Sequence, residues 1–176
     1  GRGWLSAPVP GRPFAIEAIP CDVCSKASLQ DFFADLEVKS GNRDAITVAR
    51  GFTNDPKGWL VLTGKTGTGK TRLLNAIVST WRGERRQAMT SGELLDWWRR
   101  ALDDDTFGPV FESYCTSRAF VLDDLGAEKP TEWALERLTM FLDFRYNRAL
   151  PTVIATNYNA HEMEQRLGPR ITDRVF

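Results

Sequence analysis

The amino-acid sequence predicts an α/β domain, a parallel sheet flanked by helices and organised around a phosphate-binding loop. Three observations carry that expectation. Gly64-Lys65-Thr66-Gly67-Thr68-Gly69-Lys70-Thr71 fits the spacing G-x-x-x-x-G-K-[ST], preceded by the apolar run Trp59 to Leu62 and followed by Leu73, Leu74, Ile77, Val78 and Trp81 at helical spacing. Ala119 to Leu122 is a near-continuous apolar run that closes on Asp123 and Asp124, as a strand covered on both faces does where its carboxyl end meets a ligand. Pro151 to Thr156 repeats the arrangement and closes on Asn157.

At 176 residues, 42% of them hydrophobic, the chain has material for one such domain and little for a second. Lys+Arg and Asp+Glu both number 23, so any binding of nucleic acid rests on a local patch rather than on bulk attraction. No run of about 18 apolar residues occurs, and the first residues lack the basic-then-apolar layout of a secretion signal. Three cysteines are too few for a disulfide framework. The expectation is a cytoplasmic chain without a membrane partner.

Residues 1–20 hold Pro8, Pro10, Pro13 and Pro20 with three glycines and read as a loop or irregular arm, too broken for a helix or a central strand. Cys21 and Cys24 follow as a C-x-x-C, spaced like one half of a tetrahedral zinc site; the alternatives are a redox motif and a pair without function. Cys115 and His161 fall in other segments, so a zinc site would need ligands upstream of Gly1. The chain then divides into an arm, 1–27, and a core, 28–176. From Ser28 to about Ala49 the spacing is helical, interrupted by a polar turn at Ser40-Gly41-Asn42. Phe32 and Phe33 either join the core, as aromatics so spaced usually do, or stack on an adenine.

In the loop, glycines allow a tight turn that aims backbone N–H groups at a polyphosphate, and the helix start adds its positive dipole end. Lys70 would reach the β- and γ-phosphates and Thr71 would join a Mg²⁺ shell, with Gly64, Lys65, Thr66, Gly67, Thr68, Gly69 and Arg72 completing the ATP-binding set. Arg86 to Thr90 reads as a second strand, and Ser91 as the cap of a helix bearing Leu94, Leu95, Trp98 and Leu102. Trp97 and Trp98 cannot share one face, so one is core and the other half exposed. Asp103-Asp104-Asp105 is a solvated turn.

Of the acidic pair, Asp123 falls to the Mg²⁺ shell and Asp124 to orienting and polarising an attacking water. Thr131 caps a long helix with Ala134, Leu138, Phe141, Leu142 and Arg145 along one face. Asn157 holds the water if its strand lies beside that of Asp123, and otherwise makes a turn. Gly168-Pro169 opens a last helix on which Arg170 and Arg174 share a face with nothing acidic at matching spacing. That pair is either a solvated basic face or a receiver for a neighbouring subunit's γ-phosphate. His161 is an ordinary surface or helix-start residue.

Taken together, Gly64 to Thr71, Phe120 to Glu128, Pro130 to Trp133, Pro151 to Asn157 and Leu167 to Arg174 resemble, in order and spacing, the AAA+ ATPases of the DnaC/DnaI helicase-loader group, with the IstB transposition ATPases as close relatives. The resemblance covers roughly residues 28–176 and implies a P-loop NTPase (AAA+/RecA-like) sheet. It implies that Asn157 is the sensor-1 residue, that Arg174 is an arginine finger acting in trans within a homo-oligomer, and that Arg170 is a neighbouring basic position. It also implies a protein that with ATP and Mg²⁺ binds single-stranded DNA and places a hexameric replicative helicase on it. Cys21 and Cys24 look like the last pair of the zinc-binding (Zn²⁺) region that several such proteins carry. Two departures stand out. The chain stops at Phe176, before the final strand and second sensor expected of a complete AAA+ core, and Asp124 stands where many ATPases have Glu, which predicts slow turnover. An IstB-like helper for transposition and a nucleotide-gated binding module with little hydrolysis are the competing functions.

Overall fold

The computed structural model describes residues 4–9, 12–20, 32–34, 36, 42–81, 86–127 and 131–176. Strands β1 (Trp4–Val9) and β2 (Arg12–Pro20) pair antiparallel as a separate two-stranded ribbon, with a register irregularity between Pro8 and Val9. The expected loop over this stretch is therefore corrected to a hairpin. A two-stranded ribbon leaves one edge of each strand unpaired, and proline is tolerated on such edges and at bulges. Cys21 and Cys24 lie outside the described residues.

The helix expected from Ser28 is also corrected where it is described: Phe32 to Ala34 form a turn, and helix α1 spans Arg43–Asn54. There follow β3 (Trp59–Thr63), α2 (Lys70–Thr80), β4 (Arg86–Thr90), α3 (Ser91–Asp103), α4 (Phe107–Cys115), β5 (Ala119–Asp123), α5 (Glu132–Asn147), β6 (Thr152–Thr156), α6 (Ala160–Leu167) and α7 (Pro169–Val175). Strands β3 to β6 form one parallel sheet in the order β3-β6-β5-β4, so β6 sits between the strand that feeds the loop and the strand that ends in the acids. This is the α/β fold that the sequence predicts.

Strand alternation splits the core into two layers. Ala119, Val121, Val153 and Ala155 pack with Leu60 and Leu62 against α1 and α2, through Ile46, Ala49, Leu73, Leu74 and Ile77. Phe120, Leu122 and Ile154 face the other way, onto α3 to α7, where Trp98, Leu138, Phe141, Leu142, Met163 and Ile171 fill the space. Trp98 is fully buried and Trp97 half-buried, as the adjacency of the two requires, while Leu102 is exposed rather than part of the apolar face. Helix α3 is capped one residue earlier than expected: the Thr90 hydroxyl accepts from the Glu93 N–H, and the Glu93 carboxylate accepts from the Thr90 N–H, a reciprocal cap. Ser91 is thereby the first helical residue and is buried.

At the amino ends of β5 and β6 the fully buried Arg145 donates to Ser117 O at 2.9 Å, Pro151 O at 2.7 Å, Cys115 O at 3.1 Å and Thr152 Oγ1 at 2.9 Å. Among the described residues it has no carboxylate partner; the charge rests on carbonyl dipoles, among them the negative end of α4. Burial draws the guanidinium down to about 10, which leaves it charged at neutral pH.

Candidate functional site

The carboxyl ends of β3, β5 and β6 meet at the loop. Gly67 and Gly69 have φ of 85° and 92°, left-handed values that a side chain would strain, and Gly69 stands at the N-cap of α2 without a side-chain cap. No acidic residue occupies the first turn of α2. The first N–H groups of that helix therefore lack both a capping side chain and a carboxylate, which is the condition for receiving an anion. The Thr68 hydroxyl folds back onto Lys65 O at 2.9 Å and holds the loop closed.

Lys70 Nζ donates to Gly64 O at 2.7 Å, Lys65 O at 3.1 Å and Asn157 Oδ1 at 2.7 Å. All three acceptors are neutral, so the ammonium has hydrogen bonds but no counter-charge among the described residues. The other end of the same amide, Asn157 Nδ2, donates to Asp124 Oδ1 at 3.3 Å. One side chain thus links the lysine of the loop to the second acid, across the β5–β6 pairing that the sequence reading required. Thr71 Oγ1 donates to Asp123 Oδ2 at 2.8 Å, joining the remaining two members of the predicted set.

Asp124 has φ 53°, an uncommon left-handed backbone that the surroundings fix from several sides. Its N–H donates to Asp123 Oδ1 at 2.8 Å, and its carbonyl accepts from Ser91 Oγ at 2.9 Å and from Ala127 N at 3.0 Å. The next residue is stitched to β6: Leu125 N donates to Ala155 O at 2.9 Å and Thr156 Oγ1 to Leu125 O at 2.8 Å. Sequence reasoning missed Ser91 as a support of Asp124, having assigned it to the cap. It also missed Arg166, whose Nε donates to Gly126 O at 2.9 Å with the guanidinium over the Tyr158 ring.

Beside the loop opens a cavity of about 710 Å³. Gly67, Thr68, Gly69, Lys70 and the exposed Arg72 line one side, and Leu36 with Asn42, Ala45 and Val48 of the α1 region line the other. Such a volume suits a nucleoside attached to phosphates in the loop. Phe32 and Phe33 are not among its walls; Phe33 is buried in the layer under α1, so the reading of that ring as core holds and the stacking alternative does not.

Arg174 and Arg170 stand apart, on the side of the sheet opposite α2. Spacing within α7 offers the pair no acid, but another helix does: Asp143 of α5, 15% exposed, accepts from Arg170 Nη2 and, at 3.1 Å, from Arg174 Nε. Asp143 lies 31 residues from Arg174 and on another helix, outside the reach of a spacing rule applied within α7. Among the described residues no group of three or more His, Cys, Asp or Glu side chains is arranged to hold a metal ion, and no helix is long and apolar enough to cross a membrane.

No family model matches the chain. Over 108 residues it is 30% identical to the replicative helicase loader DnaI of Bacillus subtilis (strain 168), an alignment that takes in 60% of this chain and 35% of that protein. Over 147 residues it is 26% identical to the replicative helicase loader DnaC of Escherichia coli (strain K12), covering 77% of this chain and 58% of that one. The chain thus spans about a third to somewhat over half of the length of these curated relatives. Among solved structures, the crystal structure of the DnaC helicase loader superposes with a TM-score of 0.75 at 23% identity, over 82% of this chain and 90% of that chain. The resemblance carried by the motifs is borne out, and so is the fold.

Proposed function

We propose that this chain is the ATP-driven part of a helicase loader: it binds ATP with Mg²⁺, assembles with copies of itself, hydrolyses ATP at subunit interfaces and helps place a hexameric replicative helicase on single-stranded DNA. The observation that carries the reading is the bridge from Lys70 through Asn157 to Asp124, with Thr71 and Asp123 paired beside it. Likeness to DnaI and DnaC supports the choice of partner. The ATPase core runs over residues 28–176, with 1–27 as an arm outside it.

The donor set fits Mg²⁺, since the Thr71 hydroxyl and the Asp123 carboxylate are hard oxygens 2.8 Å apart at the loop. The metal, when bound, would neutralise charge on the phosphates. Lys70 exchanges its three neutral acceptors for phosphate oxygens, a gain in charge pairing that favours a loaded loop. Asn157, relieved of Lys70, holds a water beside Asp124. Asp124 orients that water and takes its proton as the new oxygen–phosphorus bond forms and the bond to the ADP oxygen breaks. Arg174 of the next subunit meets the charge that develops on the transferred group. An aspartate reaches the water less closely than a glutamate would, so turnover is slow.

Asp124→Asn tests the chemistry, because asparagine tolerates the left-handed backbone and removes only the carboxylate. ATP affinity is retained and turnover falls about 100-fold; unchanged turnover would take Asp124 out of the mechanism. The loader role is tested by co-elution with a hexameric replicative helicase in ATP and by ATP-dependent deposition of that helicase on single-stranded DNA. ATP binding without helicase association in any nucleotide state would overturn the loader role and leave the ATPase reading standing.

A further inference from the structure

We infer that Asp143 is a positioning residue that sets Arg174 for the phosphate of a second copy of the chain, an inference that rests on the reading of Arg174 as acting in trans. Asp143 holds only the Nε edge of Arg174, at 3.1 Å, while the Tyr146 ring lies 4.9 Å from the guanidinium carbon. The two terminal Nη groups have no protein hydrogen-bond partner among the described residues, and the side chain is 32% exposed. What is left open is the two-pronged end of the fork, the edge that meets a phosphate in two parallel hydrogen bonds.

Charge points the same way. Arg170 and Arg174 bring two positive charges to one carboxylate, so the cluster keeps a net positive charge and attracts an anion. Asp143 is 15% exposed and Arg174 32%, so its field is screened less at Arg174 than at Arg170, which is 70% exposed. Without it, the two arginines would repel across one helical turn, and Arg174 would swing through rotamers that docking must then freeze. The acid therefore does not cancel the finger; it orders the finger before the partner arrives, which lowers the entropy cost of assembly and of the transition state alike.

The test uses the full chain with ATP and Mg²⁺, comparing parent, Asp143→Ala, Asp143→Asn, Arg174→Ala and Lys70→Ala. Asp143→Ala is expected to lower kcat about tenfold at saturating ATP with little change in KM, and to raise, by several-fold, the protein concentration at which a non-hydrolysable ATP analogue drives assembly in sedimentation. Asp143→Asn, which keeps one acceptor for Nε, gives a milder loss and carries the test if the alanine variant melts early. Mixing Asp143→Ala with Lys70→Ala subunits restores turnover several-fold above the sum of the two alone, because the lysine variant lends an ordered finger to an intact loop. A kcat for Asp143→Ala at or above that of the parent, or no restoration on mixing where Arg174→Ala plus Lys70→Ala does restore, overturns the positioning role alone. An Arg174→Ala chain that turns over at the parent rate overturns the trans reading and this inference with it.

Discussion

Cys115 lies beneath the guanidinium of Arg145, and burial pushes its thiol up to about 12 from an ordinary 9, against the opposing pull of Arg145 and Arg148. Between pH 9 and 10 the thiol of the unfolded chain ionises while the folded one keeps its proton. The unfolded state then binds fewer protons, and stability falls with rising pH by up to about 1.4 kcal/mol per unit. Tyr114, raised to about 12 from 10 by burial, joins the fall as the pH nears 10. Arg145, drawn down from 12.5 to about 10, works in the opposite direction over that upper range, because there the folded state sheds its proton first. Tyr114 and Arg145 begin to titrate below pH 10 with opposite sign, so between pH 9 and 10 they largely offset each other and the fall is that of Cys115. Urea unfolding across that interval should give a declining stability in the parent and a nearly flat one in Cys115→Ala, whatever the variant's overall stability. Spacing placed Arg145 on the apolar face of its helix, where it lies buried, but nothing local signals that Ser117, Pro151 and Thr152 converge on it.

At the scale of elements, the turn after β5 is where local and distant constraints meet. Gly126 has φ 89°, and a Cβ there would lie 3.1 Å from Tyr158 Cδ2 and 3.2 Å from Cε2, in a ring already engaged by Arg166. Gly126→Ala is expected to cost about 1–3 kcal/mol in thermal or urea unfolding and to slow ATP turnover, since the displaced turn carries Asp124. The strands that hold the site were legible because each ends an apolar run on a polar residue: Asp123 after Leu122, Asn157 after Thr156, the glycines after Thr63. What was not legible depended on partners far along the chain. Lys70 and Asn157 are 87 residues apart and Asp143 and Arg170 are 27 apart, distances at which spacing within one helix or strand says nothing. Helix α4 had no counterpart in the sequence analysis; it starts Phe107-Gly108-Pro109, and proline is tolerated in a first turn where its missing N–H has no intrahelical acceptor. The hairpin of β1 and β2 was missed because its prolines were counted as breakers when an edge ribbon admits them.

For the molecule as a whole, the site belongs to no single layer: α2 supplies Lys70 and Thr71, the end of β5 and the residues just past β5 and β6 supply the acids and Asn157, and α3 supports Asp124 through Ser91. Filling it should stabilise the entire domain. ATP at a hundredfold excess over its Kd adds about 2.7 kcal/mol to unfolding, a rise in Tm of several degrees, and Lys70→Ala should abolish the rise while leaving the unliganded Tm close to the parent's. Arg145 fixes where any yielding can occur. The guanidinium fastens β5 and β6 at their roots, at the end of the sheet away from the ATP loop. The sheet is thus like a comb held at its spine, and ATP binding is expected to disturb only the teeth. Amide hydrogen exchange on addition of ATP will slow most at Asp123 to Leu125 and Asn157 and hardly change at Phe120 and Val153.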